Sequence, residues 1–179
     1  AVNILTFSSN GKYLAAASHN TMSYEIWNAS SGEELPGLNS YSGYTYELAF
    51  SPQGNRIAAA FSDNTARLRD ASTGNELAIM IHNDDVNDIA FSPDGIHLAT
   101  ASSDDSIRIW DVMDQEPISL NHGDYVFSVA FGLKGKLIAT GSRDGSARIW
   151  NATTGMELQK LPHKNYVYSV AFSPDGKTL

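Results

Sequence analysis

Val86-Asn87-Asp88-Ile89-Ala90-Phe91-Ser92-Pro93-Asp94-Gly95-Ile96-His97-Leu98-Ala99-Thr100-Ala101-Ser102 is the stretch that decides the fold of this chain, because it reads as a strand, a turn and a second strand. In Ser92-Pro93-Asp94-Gly95 the proline presets its own φ and the glycine accepts a left-handed backbone, so the chain reverses. Beyond the turn Leu98, Thr100 and Ser102 fall on one face and Ala99 and Ala101 on the other, the period of two of an extended strand. The small residues permit close sheet contact. Ser103-Asp104-Asp105 turns the chain into a third strand, Ser106 to Asp111, with Ile107 and Ile109 on one side and Arg108 and Trp110 on the other. A polar turn then leads to a short fourth strand over Pro117 to Leu120. The unit is a four-stranded antiparallel meander with bulk on both faces.

That unit recurs. Phe7, Phe50, Phe91, Phe131 and Phe172 close the first strand of successive copies, at separations of 43, 41, 40 and 41 residues. A period of this size marks a protein of stacked supersecondary units. A sheet that needs cover on both faces cannot stand alone in water, and radial stacking of such sheets gives a β-propeller. The fold class is therefore all-β, with blades at 1–40, 41–81, 82–121 and 122–162 and the start of a fifth at 163–179. About four blades are present, as a partial ring or as part of a larger propeller. An arc of four leaves apolar sheet faces uncovered. Three arrangements answer that: a longer chain, which is the expectation, a homo-oligomer completing a ring, or pairing of a strand from Val167 back near the start.

Composition narrows the partners. The 179 residues carry 12 Lys and Arg against 20 Asp and Glu, a net charge of -8. Nucleic acid and anionic membrane both call for a basic surface, so neither is expected. The sequence has no cysteine, hence no disulfide framework and no thiolate ligand or nucleophile, in keeping with a reducing, cytoplasmic location. Apolar runs such as Leu77 to Ile81 are far too short to cross a bilayer.

Ile89-Ala90-Phe91-Ser92-Pro93-Asp94-Gly95, Leu98-Ala99-Thr100-Ala101-Ser102 and Ile107-Arg108-Ile109-Trp110-Asp111 resemble the WD40 repeat, and the resemblance runs in register over essentially the whole chain. The family's terminal pair stands at Trp110-Asp111, with Trp150-Asn151 and Trp27-Asn28 as variants, while copy two has Arg69-Asp70. The Gly-His that opens a family repeat is reduced to its histidine at His82, His122 and His163, and Tyr41 takes that place in copy two. The resemblance implies two hydrogen-bonded structural tetrads, His82, Thr100, Asp104, Trp110 and His122, Thr140, Asp144, Trp150. A histidine, a hydroxyl and a carboxylate also compose a hydrolase triad. A set repeated in each blade with an added indole is instead a brace, in which buried polar groups satisfy one another. Copies one and two, with Asn20 or Thr21 and Asp63 at the turn and Ala59 at the hydroxyl position, lack the full set and are expected to be less firmly braced. His82, Asp84, Asp85 and Asp88 combine metal-ligating types, yet match no calcium loop, and a solvated acidic rim is the reading. No catalytic residue, metal or cofactor is assigned.

In proteins of this resemblance, the residues three and five past the opening position, and the one before the turn aspartate, look onto the face that most often contacts partners. Those places give the candidate partner-binding set Tyr44, Tyr46, Asp85, Asn87, Ser103, Tyr125, Phe127, Arg143, Tyr166 and Tyr168. Exposed tyrosine and arginine make strong anchors because they bring large area or a rigid donor fork at modest entropy cost. The competing reading is that such rings pack against the neighbouring blade. The function expected is a scaffold or sensing module that binds a protein or peptide, within a larger multidomain protein. The alternatives are a hydrolase with its site on the propeller face or channel, and a purely structural self-assembling ring.

Overall fold

The structure, a computed structural model, describes residues 2–18, 22–35, 43–112 and 116–179. The chain divides into two compact units, Ala1–Val86 and Asn87–Leu179. The first holds β1 (Ile4–Phe7), β2 (Tyr13–Ala17) and β3 (Tyr24–Asn28) in one sheet, and β4 (Thr45–Phe50), β5 (Arg56–Phe61), β6 (Thr65–Asp70) and β7 (Glu76–Ile81) in a second. A bridge from Trp27 to Glu34 and a bond from Leu35 N to Ile26 O, 2.8 Å, begin a fourth strand on the first sheet. The second unit holds β8 (Val86–Phe91), β9 (His97–Ser102), β10 (Ser106–Asp111) and β11 (Ile118–Asn121), then β12 (Val126–Gly132), β13 (Leu137–Ser142), β14 (Ser146–Asn151) and β15 (Glu157–Pro162). Every pairing is antiparallel between strands consecutive in sequence.

Turn chemistry sets the hairpins as the sequence implies. Gly95 has φ 74, and the Ser92 hydroxyl donates to Asp94 at 2.6 Å while accepting His97 N at 2.9 Å. Copy four replaces this turn with Gly132-Leu133-Lys134-Gly135, in which Leu133 and Lys134 are left-handed at φ 45 and 56, a conformation that costs a non-glycine residue energy. The cause lies in copy five. A Cβ at Gly132 would stand 2.5 Å from the Phe172 ring, and Leu133 N donates to Gly176 O at 3.1 Å. The turn is reshaped to seat Phe172 and the Ser173–Gly176 turn.

In copy five, residues 167–172 form no strand ladder. The segment packs on the fourth sheet instead, through Val167 N to Ser142 O at 3.0 Å and Val170 N to Ser128 Oγ at 3.3 Å.

Within each unit the core lies between its two sheets. In the first, Ala15, Ala17, Tyr24 and Ile26 meet Leu48, Ile57, Ala59 and Phe61. In the second, Ala99, Ala101, Ile107 and Ile109 meet Val126, Val129, Ile138 and Trp150. Alanine on the covering face lets the next sheet's aliphatic and aromatic face approach closely, and such packing is worth roughly 1.5–3 kcal/mol per large side chain buried. The opposite face of the first sheet is open. Leu5 and Phe7 are 62% and 61% exposed, whereas Leu48 and Val129, at the place of Leu5 in copies two and four, are 2% and 4% exposed.

Candidate functional site

Two constellations of polar and aromatic side chains stand out, one buried and one exposed. The buried one is the tetrad of copy four, carried by the loop before β12 (His122), by β13 (Thr140), by the turn after it (Asp144) and by β14 (Trp150). His122 Nδ1 lies 3.2 Å from Asp144 Oδ2, His122 Nε2 lies 2.7 Å from Thr140 Oγ1, and Trp150 Nε1 donates to Thr140 Oγ1 at 2.8 Å. The Asp144 carboxylate accepts, so Nδ1 carries the proton, and the Thr140 hydroxyl donates to Nε2. Burial pushes the His122 pKa below its ordinary value against the pull of Asp144, which keeps the ring neutral. Burial pushes Asp144 up, but hydrogen bonds from Ser146, His122 and Arg148 outweigh it and hold the carboxyl well below the usual range. Thr140 and His122 are buried, and the hydroxyl already serves the indole and the imidazole. It presents no nucleophile to a substrate.

Copy three has the corresponding bond from Trp110 Nε1 to Thr100 Oγ1, 2.9 Å, with Asp104 accepting from Ser106 N at 3.0 Å. His82, in the first unit, is buried. Of the positions expected in copies one and two, Asn20, Thr21 and Tyr41 lie outside the described residues. The second sheet is braced, but differently. Arg69 takes the place of the tryptophan; buried, it donates through Nη1 to Gly74 O at 2.9 Å and pairs through Nη2 with Glu76 at 3.3 Å. Arg67 joins the same Glu76 at 3.4 Å and Asp63 at 3.2 Å. Sequence reading registers the lost tryptophan and misses the ionic network; the run of Arg67, Arg69 and Glu76 across β6 and β7 is the signal for it.

The exposed constellation lies in the second unit and gathers five of the ten candidate partner residues. The Arg143 guanidinium sits over the Tyr125 ring at 5.1 Å and the Tyr166 ring at 5.7 Å. Phe127 stacks on Tyr168 at 5.1 Å, and Tyr166 meets Tyr168 edge to face at 6.0 Å. Tyr125, Tyr166 and Tyr168 are 38%, 44% and 66% exposed. Hydrogen bonding to Tyr166 and the nearby Asp124 carboxylate raise the Arg143 pKa, so it is a permanent cation. Asp124 reaches its Nε at 3.8 Å.

Of the other five candidates, Tyr46, Asp85, Asn87 and Ser103 are engaged in side-chain hydrogen bonds. Tyr46 donates its hydroxyl to Asp85 Oδ2 at 2.9 Å, and burial together with that carboxylate raises its pKa. Tyr44 is exposed, and its amide donates to Ser62 Oγ at 2.8 Å. Asn87 spends its amide on Ser103 Oγ at 3.0 Å and Val126 O at 2.8 Å, which ties β8 to β12. Asp88, weighed from sequence only as a metal ligand, makes the same crossing: its carboxylate accepts Val129 N at 2.8 Å. Burial pushes this carboxyl up to about 6 against the hydrogen bonds it accepts. Among the described residues, no three His, Asp or Glu side chains gather as a metal site.

Antiparallel meander sheets packed in pairs within each unit, the fourth pinned by an indole, a hydroxyl, an imidazole and a carboxylate, define a β-propeller of the WD40 type. The family model described as WD domain, G-beta repeat matches residues 37–70, 74–111, 115–151 and 155–179, and the chain belongs to that family. In the second unit the match over 115–151 takes in β11, the outer strand of one sheet, together with β12 to β14 of the next, so one repeat links two blades. No curated protein matches the chain. Among the described residues, no helix is long and apolar enough to cross a membrane.

Proposed function

We propose that this chain is a non-enzymatic interaction module that binds a protein or peptide through Tyr125, Phe127, Arg143, Tyr166 and Tyr168. WD40 repeats generally serve as protein-interaction scaffolds, and the observation that carries the reading here is the exposed stack of rings around one ordered arginine. Aromatic side chains left in water cost free energy that a partner recovers on covering them, and a guanidinium fixed between rings loses little entropy on binding. Tyr44, Tyr46, Asp85, Asn87 and Ser103 form a secondary part of the same proposal, with Tyr46, Asp85, Asn87 and Ser103 acting through the order they give the strand starts. The cytoplasmic location expected from the cysteine-free sequence belongs to this reading, as does membership of a larger multidomain protein.

The experiment is affinity capture with purified chain and with Tyr125→Ala and Tyr168→Ala. Loss of the captured partner in both variants, at unchanged melting temperature, supports the site. Retained capture in both removes the aromatic surface from consideration.

A further inference from the structure

We infer that the ligand of this surface is an extended peptide carrying an aspartate or glutamate, with an aromatic residue or proline two positions further on; the inference rests on the function proposed above. Among the described residues, Arg143 pairs ionically with Asp124, which it meets through Nε at 3.8 Å, too long for a hydrogen bond. Its guanidinium, 42% exposed over the Tyr125 and Tyr166 rings and hydrogen-bonded to Tyr166, carries five N–H donors in a fork, so part of that fork remains for a ligand. A carboxylate matches that fork with two parallel bonds, and charge-assisted pairs of this kind are the stronger ones. Spacing fixes the second feature. An extended chain advances about 3.3 Å per residue and returns to the same face every second residue, so about 6.6 Å separates positions i and i+2. The Tyr166 ring centre is 5.7 Å from the guanidinium, and the Tyr168 ring centre is 6.0 Å from that of Tyr166, edge to face. These steps are close to one i to i+2 advance, so a flat side chain at i+2 meets the exposed Tyr168 ring, which Phe127 supports by stacking at 5.1 Å.

Charge sharpens the inference. The chain as a whole carries -8 and repels acidic ligands at long range. Preference for an acidic peptide then has to come from local cation density, and Arg143 is the cation built into the ring cluster. Its removal erases the preference rather than lowering it by a share.

Fluorescence polarisation with four labelled synthetic peptides in a Gly-Ser background tests this, the variable triplets being Asp-Gly-Trp, Asn-Gly-Trp, Asp-Gly-Ala and phosphoserine-Gly-Trp. The expected result is that Asp-Gly-Trp binds roughly tenfold more tightly than Asn-Gly-Trp and than Asp-Gly-Ala. Arg143→Gln brings the Asp and Asn peptides to equal affinity, and Tyr168→Ala weakens both tryptophan peptides by about fivefold or more, each variant keeping the wild-type circular dichroism spectrum. Equal binding of Asp and Asn peptides to the wild type, with Tyr168→Ala still weakening both, overturns the acidic specificity and leaves the site standing. Phosphoserine binding about tenfold or more tighter than aspartate transfers the ligand from carboxylate to phosphate and overturns the assignment. Tryptophan peptides indifferent to Tyr168→Ala, or no binding of Asp-Gly-Trp at about 1 mM, overturn this inference and the site together.

Discussion

Replacing Thr140 by valine isolates what the buried tetrad contributes. Valine keeps the β-branched shape that β13 favours and removes only the hydroxyl. That hydroxyl accepts Trp150 Nε1 at 2.8 Å and meets His122 Nε2 at 2.7 Å, and His122 and Trp150 are both buried. The substitution therefore strands one donor and one acceptor away from water. Each orphaned group costs about 1–3 kcal/mol, so the loss is on the order of 2–6 kcal/mol, against a total stability of about 5–15 kcal/mol for a domain. Urea unfolding followed by tryptophan fluorescence reads it as a lower midpoint at unchanged slope. Thr153→Val, at an exposed turn position, serves as control and changes stability by under about 0.5 kcal/mol. A Thr140→Val loss no larger than the control's would refute the reasoning, because it would mean that the indole and imidazole hold their places without the hydroxyl.

Further outcomes follow from the same geometry. Arg69→Ala leaves the Gly74 carbonyl and part of the Glu76 charge uncompensated and costs about 3–5 kcal/mol by denaturant titration; an Arg69→Trp, Ala59→Thr double variant regains part of that by rebuilding the indole–hydroxyl pair, and a harmless Arg69→Ala defeats the ionic brace. Gly132→Ser places a Cβ where the Phe172 ring lies at 2.5 Å, so residues 163–179 lift from the fourth sheet; hydrogen exchange at Val167 and Val170 amides accelerates, and unchanged protection counters the account. Burial raises the Asp88 carboxyl to about 6, against about 3.9 in the unfolded chain, so carboxyl NMR is expected to read a midpoint near 6 and its contribution to stability grows as pH falls from about 6 towards 4. His122 runs the other way: its lowered pKa gives a contribution present above about 6.5 and lost as pH falls below that. An Asp88 midpoint near 4 would sink the first half.

The strands and turns were legible because their causes are local. Ser92-Pro93-Asp94-Gly95 makes its turn from its own φ preferences and its own hydroxyl, and the alternation in β9 needs no neighbour to be read. The tetrad of copy four came from the resemblance, which assigns its four residues to the family's positions. What escaped depends on which backbone faces a side chain. Residues 167–172 carry a strand's pattern but find their hydrogen bonds in Ser142 and Ser128 rather than in a ladder. Arg69 looked like a missing brace because the ion pairs that replace the indole come from β6 and β7 together. The positions of the proposed partner set came from resemblance, and only packing separates Asn87, which joins β8 to β12, from Tyr168, which is 66% exposed.

One inner-strand position links the packing of the second unit to the proposed binding surface. Asp88 accepts the amide of Val129, and Ser128, at the same place one copy later, accepts the amide of Val170. Successive first strands in this unit do not form a ladder with each other, so side chain to amide bonds take over the pairing that buried backbone requires. This accounts for the polar residues Asp88 and Ser128 at this position of the strand. It also fixes the rings, because side chains alternate along an extended chain. Phe127 precedes Ser128 and Tyr168 precedes Ser169, so the bond from Val170 N to Ser128 Oγ sets the separation at which Phe127 and Tyr168 stack. Stability and the proposed recognition then share a cause: the amide that docks copy five onto the fourth sheet also holds its tyrosines against Phe127 and, through Tyr166, holds Arg143.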